Sequence, residues 1–421
     1  MSNFDQIDYF QDSSLLADPH PYFDHLRAKG PVIQLSAYNV YAVTGYAEGA
    51  AVFRDDEHFS AVISPNGPLP PLPFTPEGDD ITDQIEAYRH LIPGATNLAS
   101  MDRPQHTLLR SLLMGMITPK RLQENEAFMW QLADDQIDEF IDQGRVSLLA
   151  DYGKAFATNV IADLLGVPRE DYDKVRTNHA TRPGQIGVGS AGRPSNPYEK
   201  VSGYFAEAIE ERRRQPRADV MSDLAAVRNL DGSIPPTDDV VMVVTQLFGA
   251  GSDTTGLMIL AALRTLAEDA ELQQRLREDR TLVPEFLEEL LRLEGATRVE
   301  FRLVKKPAKV GELDVSPGDI VMLAISAMDR DPRQFEHPHE LRLDRKNART
   351  HIAFGRGIHS CAGAPLARSE LRITIERFLD RTANLRIDEE KHGPASARRY
   401  ERVPSYLMQG LQELHLQFDR A

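Results

Sequence analysis

The sequence predicts a mainly α-helical protein with a smaller β portion, folded as a single domain over residues 1–421. Apolar residues recur at helical spacing through about residues 100–295 and again at 362–380. Short β-like runs bounded by turn residues lie at about 30–65, 296–325 and 385–421. Because the β runs alternate with helices and no internal repeat is visible, we expect all these elements to share one large core.

The helices and strands are predicted from the spacing of apolar residues and from the residues that cap or break such elements. The expected helices are 21–29, 47–54, 123–143, 169–180, 198–214, one from 237 to about 268, and 283–293. The expected strands are 32–35, 40–43, 299–304, 314–315, 320–323, 402–407 and 413–418. Two loops, 64–76 and 182–197, are rich in proline, glycine and serine and are expected to act as a surface flap and a lid. Thr237, Asp238 and Asp239 are expected to cap the start of the long helix.

Composition excludes several classes of protein. The formal net charge of -16 argues against binding nucleic acid or an anionic membrane through a general positive field. A single cysteine excludes an internal disulfide and a multi-cysteine metal site. The apolar run 240–251 is shorter than the roughly 20 residues that a membrane span needs. With no basic, apolar leader at the start of the chain, a cytoplasmic monomer is expected.

Cys361 lies in the most distinctive segment, 354–363. Gly355 and Gly357 allow a tight loop before it, and helix-forming residues begin directly after it. A helix N-terminus would lower the pKa of the thiol and stabilise a thiolate, which is a strong ligand for iron. Two other interpretations remain open: a buried structural cysteine, and a nucleophile with His359 as its base. The second interpretation is disfavoured, because a histidine so close to the cysteine on the same loop is badly placed to act as its base unless the backbone folds sharply.

The segment 250–255 breaks the rules of a helix interior. Gly249 and Gly251 each cost about 1 kcal/mol relative to alanine there, and Asp253 and Thr254 compete for backbone hydrogen bonds. Such local conflict often marks a functional site. A tolerated polar kink in a buried helix is the alternative interpretation.

Two further pairs have weak signals on their own. Glu289 and Arg292 are three residues apart and share one helix face, as surface pairs commonly do. His106 and Arg110 are four apart on a helix opened by Pro104. A solvated basic face explains the second pair equally well.

The string 354–363 resembles the haem-binding signature of the cytochromes P-450, matching it at every defined position: aromatic, glycine, any, glycine, any, basic, any, cysteine, small, glycine. The segments around Thr254, Glu289 and His106 occur in the order that this family shows. The resemblance to soluble bacterial members covers nearly the whole chain. It implies the cytochrome P-450 fold, with haem b held between the long central helix and the cysteine-loop helix, and Cys361 as the iron ligand.

The same resemblance assigns roles to other residues. Asp253 and Thr254 become the acid–alcohol pair that delivers protons, on a helix that opens beside the iron. Glu289 and Arg292 support the cysteine loop from behind, with Arg342, Arg345 or a histidine as the third member. The residues implied to contact haem are His106, Arg110, Ala250, Arg302, Phe354, Gly355, His359 and Gly363. Those implied to contact substrate are Leu247, Ala250, Thr254, Thr297, Val299, Tyr406 and Leu407.

The function implied is a monooxygenase that inserts one atom of O2 into a small hydrophobic substrate. Electrons would come from a separate iron–sulfur ferredoxin and its NAD(P)H-dependent reductase. That partner is expected to dock on the cysteine side, through Arg356, Arg368, Lys120 or Arg121. A peroxide-driven peroxygenase, a non-enzymatic haem ligand-binding protein and, more distantly, a metal-free cysteine hydrolase are the alternatives.

Overall fold

The computed structural model describes residues 4–36, 38–178, 199–229 and 231–421. The loop expected at 182–197 lies outside the described residues. Helices dominate and the sheets are small, so the predicted fold class is confirmed.

The α-helices carry most of the described residues. In chain order they are α1 (Ser14–Ala17), α2 (His20–Lys29), α3 (Tyr46–Arg54), α4 (Thr82–Tyr88), α5 (Gln105–Met116), α6 (Pro119–Asp138), α7 (Lys154–Leu164), α8 (Tyr172–Asn178), α9 (Glu199–Arg214), α10 (Val220–Ala225), α11 (Thr237–Glu268), α12 (Ala270–Glu278), α13 (Val283–Glu294), α14 (Ile325–Met328), α15 (Ala364–Arg381) and α16 (Glu389–His392). A π-helical turn, Leu149–Gly153, leads into α7.

The strands form three small sheets. They are β1 (Val32–Gln34), β2 (Val40–Val43), β3 (Phe59–Ser60), β4 (Arg145–Ser147), β5 (Glu300–Val304), β6 (Ala308–Val310), β7 (Leu313–Val315), β8 (Ile320–Leu323), β9 (Thr382–Ile387) and β10 (His415–Arg420). The largest sheet has the order β1-β2-β8-β5-β3, with β2 and β8 parallel. The others are β4-β10-β9 and the hairpin β6-β7. The largest sheet places β5 beside the segment that leaves α13.

Helix α11 runs through the helical core for about 48 Å, given its 32 residues. Gly251 lets it cross α7 closely, because a β-carbon there would collide with Ile161 Cδ1. Two details differ from expectation. Thr237 is the first helical residue rather than a cap, and its hydroxyl contacts Arg213 and Glu210 instead. The helix is also continuous through Thr254, so the opening implied by the resemblance is absent from the described helix.

Some element boundaries also differ. Residues 402–407 do not form a strand: Arg402 makes only an isolated bridge to Leu411, and Ser405 hydroxyl contacts bend the chain there. Helix α6 begins earlier than expected, because Thr118 accepts a hydrogen bond from the backbone of Arg121 as an N-cap ahead of Pro119. The helix expected at 169–180 splits into a 3-10 turn, Arg169–Asp171, and α8.

Among the described helices, none combines the length and the apolar character that crossing a membrane requires. Helix α11 is long enough, but Ser252, Asp253 and the threonines that follow interrupt its apolar run.

Candidate functional site

A cavity of about 320 Å³ lies between α11 and the cysteine loop. Its remaining walls come from α5, α15 and the segment after α13. The lining is mostly apolar, and the residues that matter below are Leu98, His106, Arg110, Gln246, Leu247, Ala250, Thr254, Thr255, Thr297, Glu300, Phe354, His359, Cys361, Gly363 and Glu370. The structure therefore brings together ten of the residues that the sequence analysis named: His106, Arg110, Leu247, Ala250, Thr254, Thr297, Phe354, His359, Cys361 and Gly363.

The cysteine loop is closed by its own backbone. The Cys361 amide donates to the Phe354 carbonyl at 2.9 Å. Gly355 and Gly357 both have positive φ, 64° and 71°, which glycine adopts without strain. Gly357 also packs directly on α3, since a β-carbon there would collide with the Phe53 carbonyl oxygen. The loop is thus held against α3 while its cysteine opens onto the cavity.

The thiol of Cys361 is enclosed by protein but keeps accessible surface on the cavity. Burial raises its pKa, while the amides of Gly363 and Ala364 and the charge of Arg110 act in the opposite direction. The prediction of a lowered thiol pKa is therefore wrong for the protein alone. The helix start does contribute as expected, but desolvation outweighs it.

One end of the cavity is rich in nitrogen donors. The rings of His106 and His359 lie 4.3 Å apart, and Arg110 Nη2 donates to the Ser360 carbonyl at 2.5 Å. Burial and then the neighbouring cations lower the pKa of both histidines, to about 2 for His359. In the protein alone these rings are thus neutral hydrogen-bonding groups beside one cation, Arg110.

Arg302 lies behind this end instead of lining it. Its Nη1 atom contacts Glu300 Oε2 at 3.2 Å and donates to the Phe301 carbonyl, and its guanidinium stacks on the ring of Phe53. Glu300 itself lines the cavity. The sequence analysis missed this carboxylate, although its place two residues before Arg302 on β5 puts both side chains on one face of the strand.

The acid and the alcohol on α11 face different surroundings. Thr254 lines the cavity and donates its hydroxyl to the Ala250 carbonyl at 2.7 Å. Asp253 lies off the lining, with its carboxylate 3.8 Å from Lys154 Nζ at the start of α7. Thr254 therefore faces the cavity, whereas Asp253 faces the contact between α11 and α7.

Glu289 and Arg292 form a fully buried bidentate pair, at 2.7 and 2.9 Å. Arg345 completes the network, with Nε 2.9 Å from Glu289 Oε1, and the Arg342 amide donates to the other carboxylate oxygen. Burial alone would raise the pKa of Glu289, but these partners lower it below its usual range. Arg292 also donates to the carbonyls of residues 329, 338 and 340, which tie α13 to the chain that leads into the cysteine loop.

A second carboxylate network lies beside the first and was missed. Glu288 accepts two hydrogen bonds from Arg368 at 2.7 and 3.0 Å and lies 3.1 Å from His351 Nε2. Arg368 in turn stacks on the ring of Phe354, 4.8 Å away. Burial would raise the pKa of Glu288, but these partners lower it to about 2. The tandem of two glutamates in α13 is the signal that could have indicated a second pair.

Glu370, on α15, is a further residue that the sequence analysis missed. It lines the cavity, is 1% exposed, and accepts a hydrogen bond from the Thr255 hydroxyl at 3.3 Å. Burial raises its pKa well above the usual range, with only Thr255 acting against it. Burial therefore favours the neutral form of this acid under α11.

Besides Arg302, four of the predicted contact residues lie off the cavity lining. Val299, Tyr406 and Leu407 belong to a neighbouring apolar cluster, and Gly355 lies in the bend of the loop. The Leu407 carbonyl accepts from the amides of residues 298 and 299, which keeps this segment at the rear of the wall that Thr297 forms. Their predicted contacts stay predictions.

The donor set fits a haem. A thiol opens onto a largely apolar cavity, and Arg110 with two histidines supplies cationic and neutral donors where carboxylates of a bound group could lie. Gly363 leaves space beside the thiol, because a β-carbon there would lie 3.8 Å from Cys361 Sγ. Among the described residues, no cluster of histidine, cysteine and carboxylate side chains forms an alternative metal site.

A lone thiol that faces a largely apolar cavity, with cationic and neutral nitrogen donors nearby, matches the haem-thiolate class of proteins. Comparison with known proteins then identifies the family: the cytochrome P-450 family model matches residues 193–394. Cytochrome P-450 144 of Mycobacterium tuberculosis is 30% identical over 371 residues, covering 87% of this chain and 83% of that protein. The chain belongs to the cytochrome P-450 family.

Two other relatives support this family assignment. The cytochrome P-450 monooxygenase PikC of Streptomyces venezuelae is 29% identical over 384 residues, which is 88% of this chain and 86% of that protein. The substrate-free structure of Mycobacterium marinum cytochrome P-450 CYP150A6 is 47% identical and superimposes with a TM-score of 0.94, covering 100% of both chains. The chain is a monooxygenase of this family, an oxidoreductase whose cofactor is haem.

Proposed function

We propose that the chain hydroxylates a small hydrophobic substrate within the cavity under α11, using electrons from a separate iron–sulfur ferredoxin and its NAD(P)H-dependent reductase. One observation carries the proposal: Cys361 and the Thr254 side chain of α11 line the same cavity, whose wall is mostly apolar. Bound haem supplies the iron that activates dioxygen. The chain supplies the ligand, the orientation of substrate and the delivery of protons.

Cys361 would hold the iron as a thiolate, and its loop is suited to that task. The amides of Gly363 and Ala364 favour negative charge at Sγ. Arg110, His106 and His359 would surround the carboxylates of the haem, where neutral imidazoles can act as donors. Phe354, held by Arg368, would pack beside the same group.

Thr254 and Asp253 would move protons. In this structure the Thr254 hydroxyl donates to Ala250, and rotation about χ1 would release it to the cavity. Asp253 connects that position with Lys154 at the surface of α7, where 23% of the lysine side chain is exposed. A proton could then pass from solvent to Asp253 and on to the hydroxyl, a form of general acid catalysis.

The pairing of the four expected cations bears on where an acidic ferredoxin would dock. Three of the four expected cations already have hydrogen-bond partners. Arg121 donates to Asp223 and Arg368 donates to Glu288. Arg356 donates to the Tyr46 hydroxyl and the Thr350 carbonyl. Lys120 is 84% exposed and only loosely paired, at 3.8 Å. Docking would therefore rest on Lys120 and on exposed cations that flank the loop.

Arg54 and Arg349 are the flanking cations. Arg54 adjoins Gly357, whose added β-carbon would lie 3.2 Å from the Arg54 Cα atom. Arg349 belongs to the 3-10 turn that Arg356 binds. Both are exposed, and neither forms an ion pair within the described part of the chain. Charge reversal at either is expected to slow reduction by an acidic ferredoxin severalfold at low salt, with a shallower salt dependence.

The decisive test is the spectrum of the reduced, carbon-monoxide-bound protein. The long-wavelength Soret band of a thiolate-ligated haem is expected, and Cys361→His should move it to the position of ordinary haem proteins. A haem-free purified protein, or a variant whose spectrum matches the wild type, would overturn the assignment. Turnover driven by peroxide but not by any ferredoxin would favour the peroxygenase alternative.

A further inference from the structure

Gln246 is a polar side chain on the cavity face of α11. Gln246, Ala250 and Thr254 follow one another at intervals of four, so all three lie on the same side of the helix and all line the cavity. Eight residues of rise separate Gln246 from Thr254 by about 12 Å. Thr255, which donates to Glu370, follows Thr254 at the other end of this row of side chains.

The orientation of the Gln246 amide is fixed by the backbone of another segment. The Leu98 amide donates to Gln246 Oε1 at 2.8 Å. Because a backbone N–H can only donate, the carbonyl oxygen of the side chain must face Leu98. The Nε2 group, with its two hydrogens, is left facing away from that contact, and it makes no hydrogen bond to the described residues.

The surroundings of this donor are apolar. Ala99, Val243 and Leu247 line the cavity together with Gln246, and none of the described cations hydrogen-bonds to its side chain. An amide N–H in such a setting costs free energy unless it finds an acceptor. A ligand acceptor would satisfy it, and a neutral one suits an uncharged donor in a largely apolar wall.

We propose that Gln246 is a specificity-determining residue that selects apolar substrates carrying a carbonyl oxygen at the end opposite to the carbon that is oxidised, because the rise of α11 separates Gln246 from Thr254 by about 12 Å. The Nε2 donor binds the carbonyl and the apolar wall holds the rest of the chain, so the far end of the substrate reaches Thr254. This inference rests on the proposed function, because it takes the Thr254 end of the cavity as the place of reaction.

Three probes of equal chain length test the position of the acceptor: methyl nonyl ketone, dipentyl ketone and undecane. Each is titrated into the haem-loaded enzyme, and the spin-state shift of the haem gives the affinity. Methyl nonyl ketone, with its carbonyl near one end, is expected to bind about tenfold more tightly than undecane, the gain of one net hydrogen bond. Dipentyl ketone, with its carbonyl at the centre, should bind no better than undecane.

Two variants separate the donor from the fold. Gln246→Glu keeps an oxygen for the Leu98 amide but has no N–H group, and Gln246→Met removes both. Both should lose the preference for methyl nonyl ketone while the affinity for undecane changes less than about twofold. A side chain needed only for the fold would weaken all three probes together.

Equal affinity of the wild type for the two ketones, absence of binding by both included, would overturn the proposal. So would a preference that survives in both variants. A missing thiolate spectrum in the wild type would instead count against the proposed function, so the two failures can be told apart.

Discussion

Two regions around the cysteine loop bury carboxyl groups in opposite ways. On α13, Glu288 and Glu289 are each bonded to at least one guanidinium group and keep lowered pKa values. On α15, Glu370 is equally buried but meets a single hydroxyl, and its pKa is raised. Burial is common to all three, so the partners decide the charge. The α13 region ties segments together through ion pairs, whereas the α15 region keeps a neutral polar group under the cavity.

The largest effect is expected at Glu289. Glu289→Gln removes a buried charge and leaves Arg292 and Arg345 without it, which should destabilise the protein by about 3–5 kcal/mol. Urea unfolding of the haem-loaded protein, together with its haem content, measures the loss.

Glu285→Gln is the matched control, because Glu285 is exposed on the same helix and should change stability by less than about 0.5 kcal/mol. Equal effects of the two substitutions would show that the buried network contributes nothing beyond helix propensity.

Glu288→Gln should cost less, about 2 kcal/mol, because Arg368 is 35% exposed and can be solvated when it loses its partner. The dependence on pH gives the sharper test. The pKa of Glu288 falls from 4.5 to about 2 on folding, so its contribution is present above pH 4.5 and is lost as the pH falls towards 2. The difference in stability between wild type and Glu288→Gln should therefore shrink over that window.

Acid unfolding of the two proteins, followed by circular dichroism, supplies the measurement. A difference that stays constant between pH 4.5 and the lowest accessible pH would contradict the lowered pKa.

Glu370→Gln is expected to stabilise the protein at neutral pH, in contrast to the two substitutions on α13. A raised pKa in the folded state means that stability is present below the unfolded value of 4.5 and is lost as the pH rises towards the folded value. The loss is at most about 1.4 kcal/mol per pH unit, and glutamine, which cannot ionise, avoids it. The variant should match the wild type near pH 4.5 and exceed its stability at neutral pH. A variant less stable than the wild type at neutral pH would contradict the raised pKa.

The sequence predicted one of these regions better than the other. Glu289 and Arg292 were indicated by their spacing and by the family resemblance, and their side chains form a buried ion pair. Arg345 could only be offered among alternatives, because a loop brings it back to α13 from a distant part of the sequence. Glu370 carries no local signal: it is one acid in a helix, and only the crossing of α11 over α15 buries it.

The cysteine loop, too, could be predicted only in part from the sequence. Local glycines and the following helix predicted its shape, and both glycines have positive φ as the tight turn requires. The direction of the thiol pKa was predicted wrongly, because desolvation depends on the whole fold and not on the loop. The amide orientation of Gln246 likewise depends on Leu98, which is far away in sequence.

Thr255→Val should have the smallest effect and tests the single partner of Glu370. Loss of the hydroxyl leaves the neutral carboxyl without that bond, which should cost at most about 1 kcal/mol because the contact is long, at 3.3 Å. Since the bond lowers the pKa of Glu370, its removal should raise that pKa further, and the cost should grow with pH. In the Glu370→Gln background this growth should vanish, whereas Thr254→Val, whose hydroxyl donates to Ala250, should show no such dependence in either background. Urea unfolding of this double-mutant cycle across neutral pH decides the point, because a pH-dependent cost that persists in the Glu370→Gln background would mean that Thr255 acts through another group.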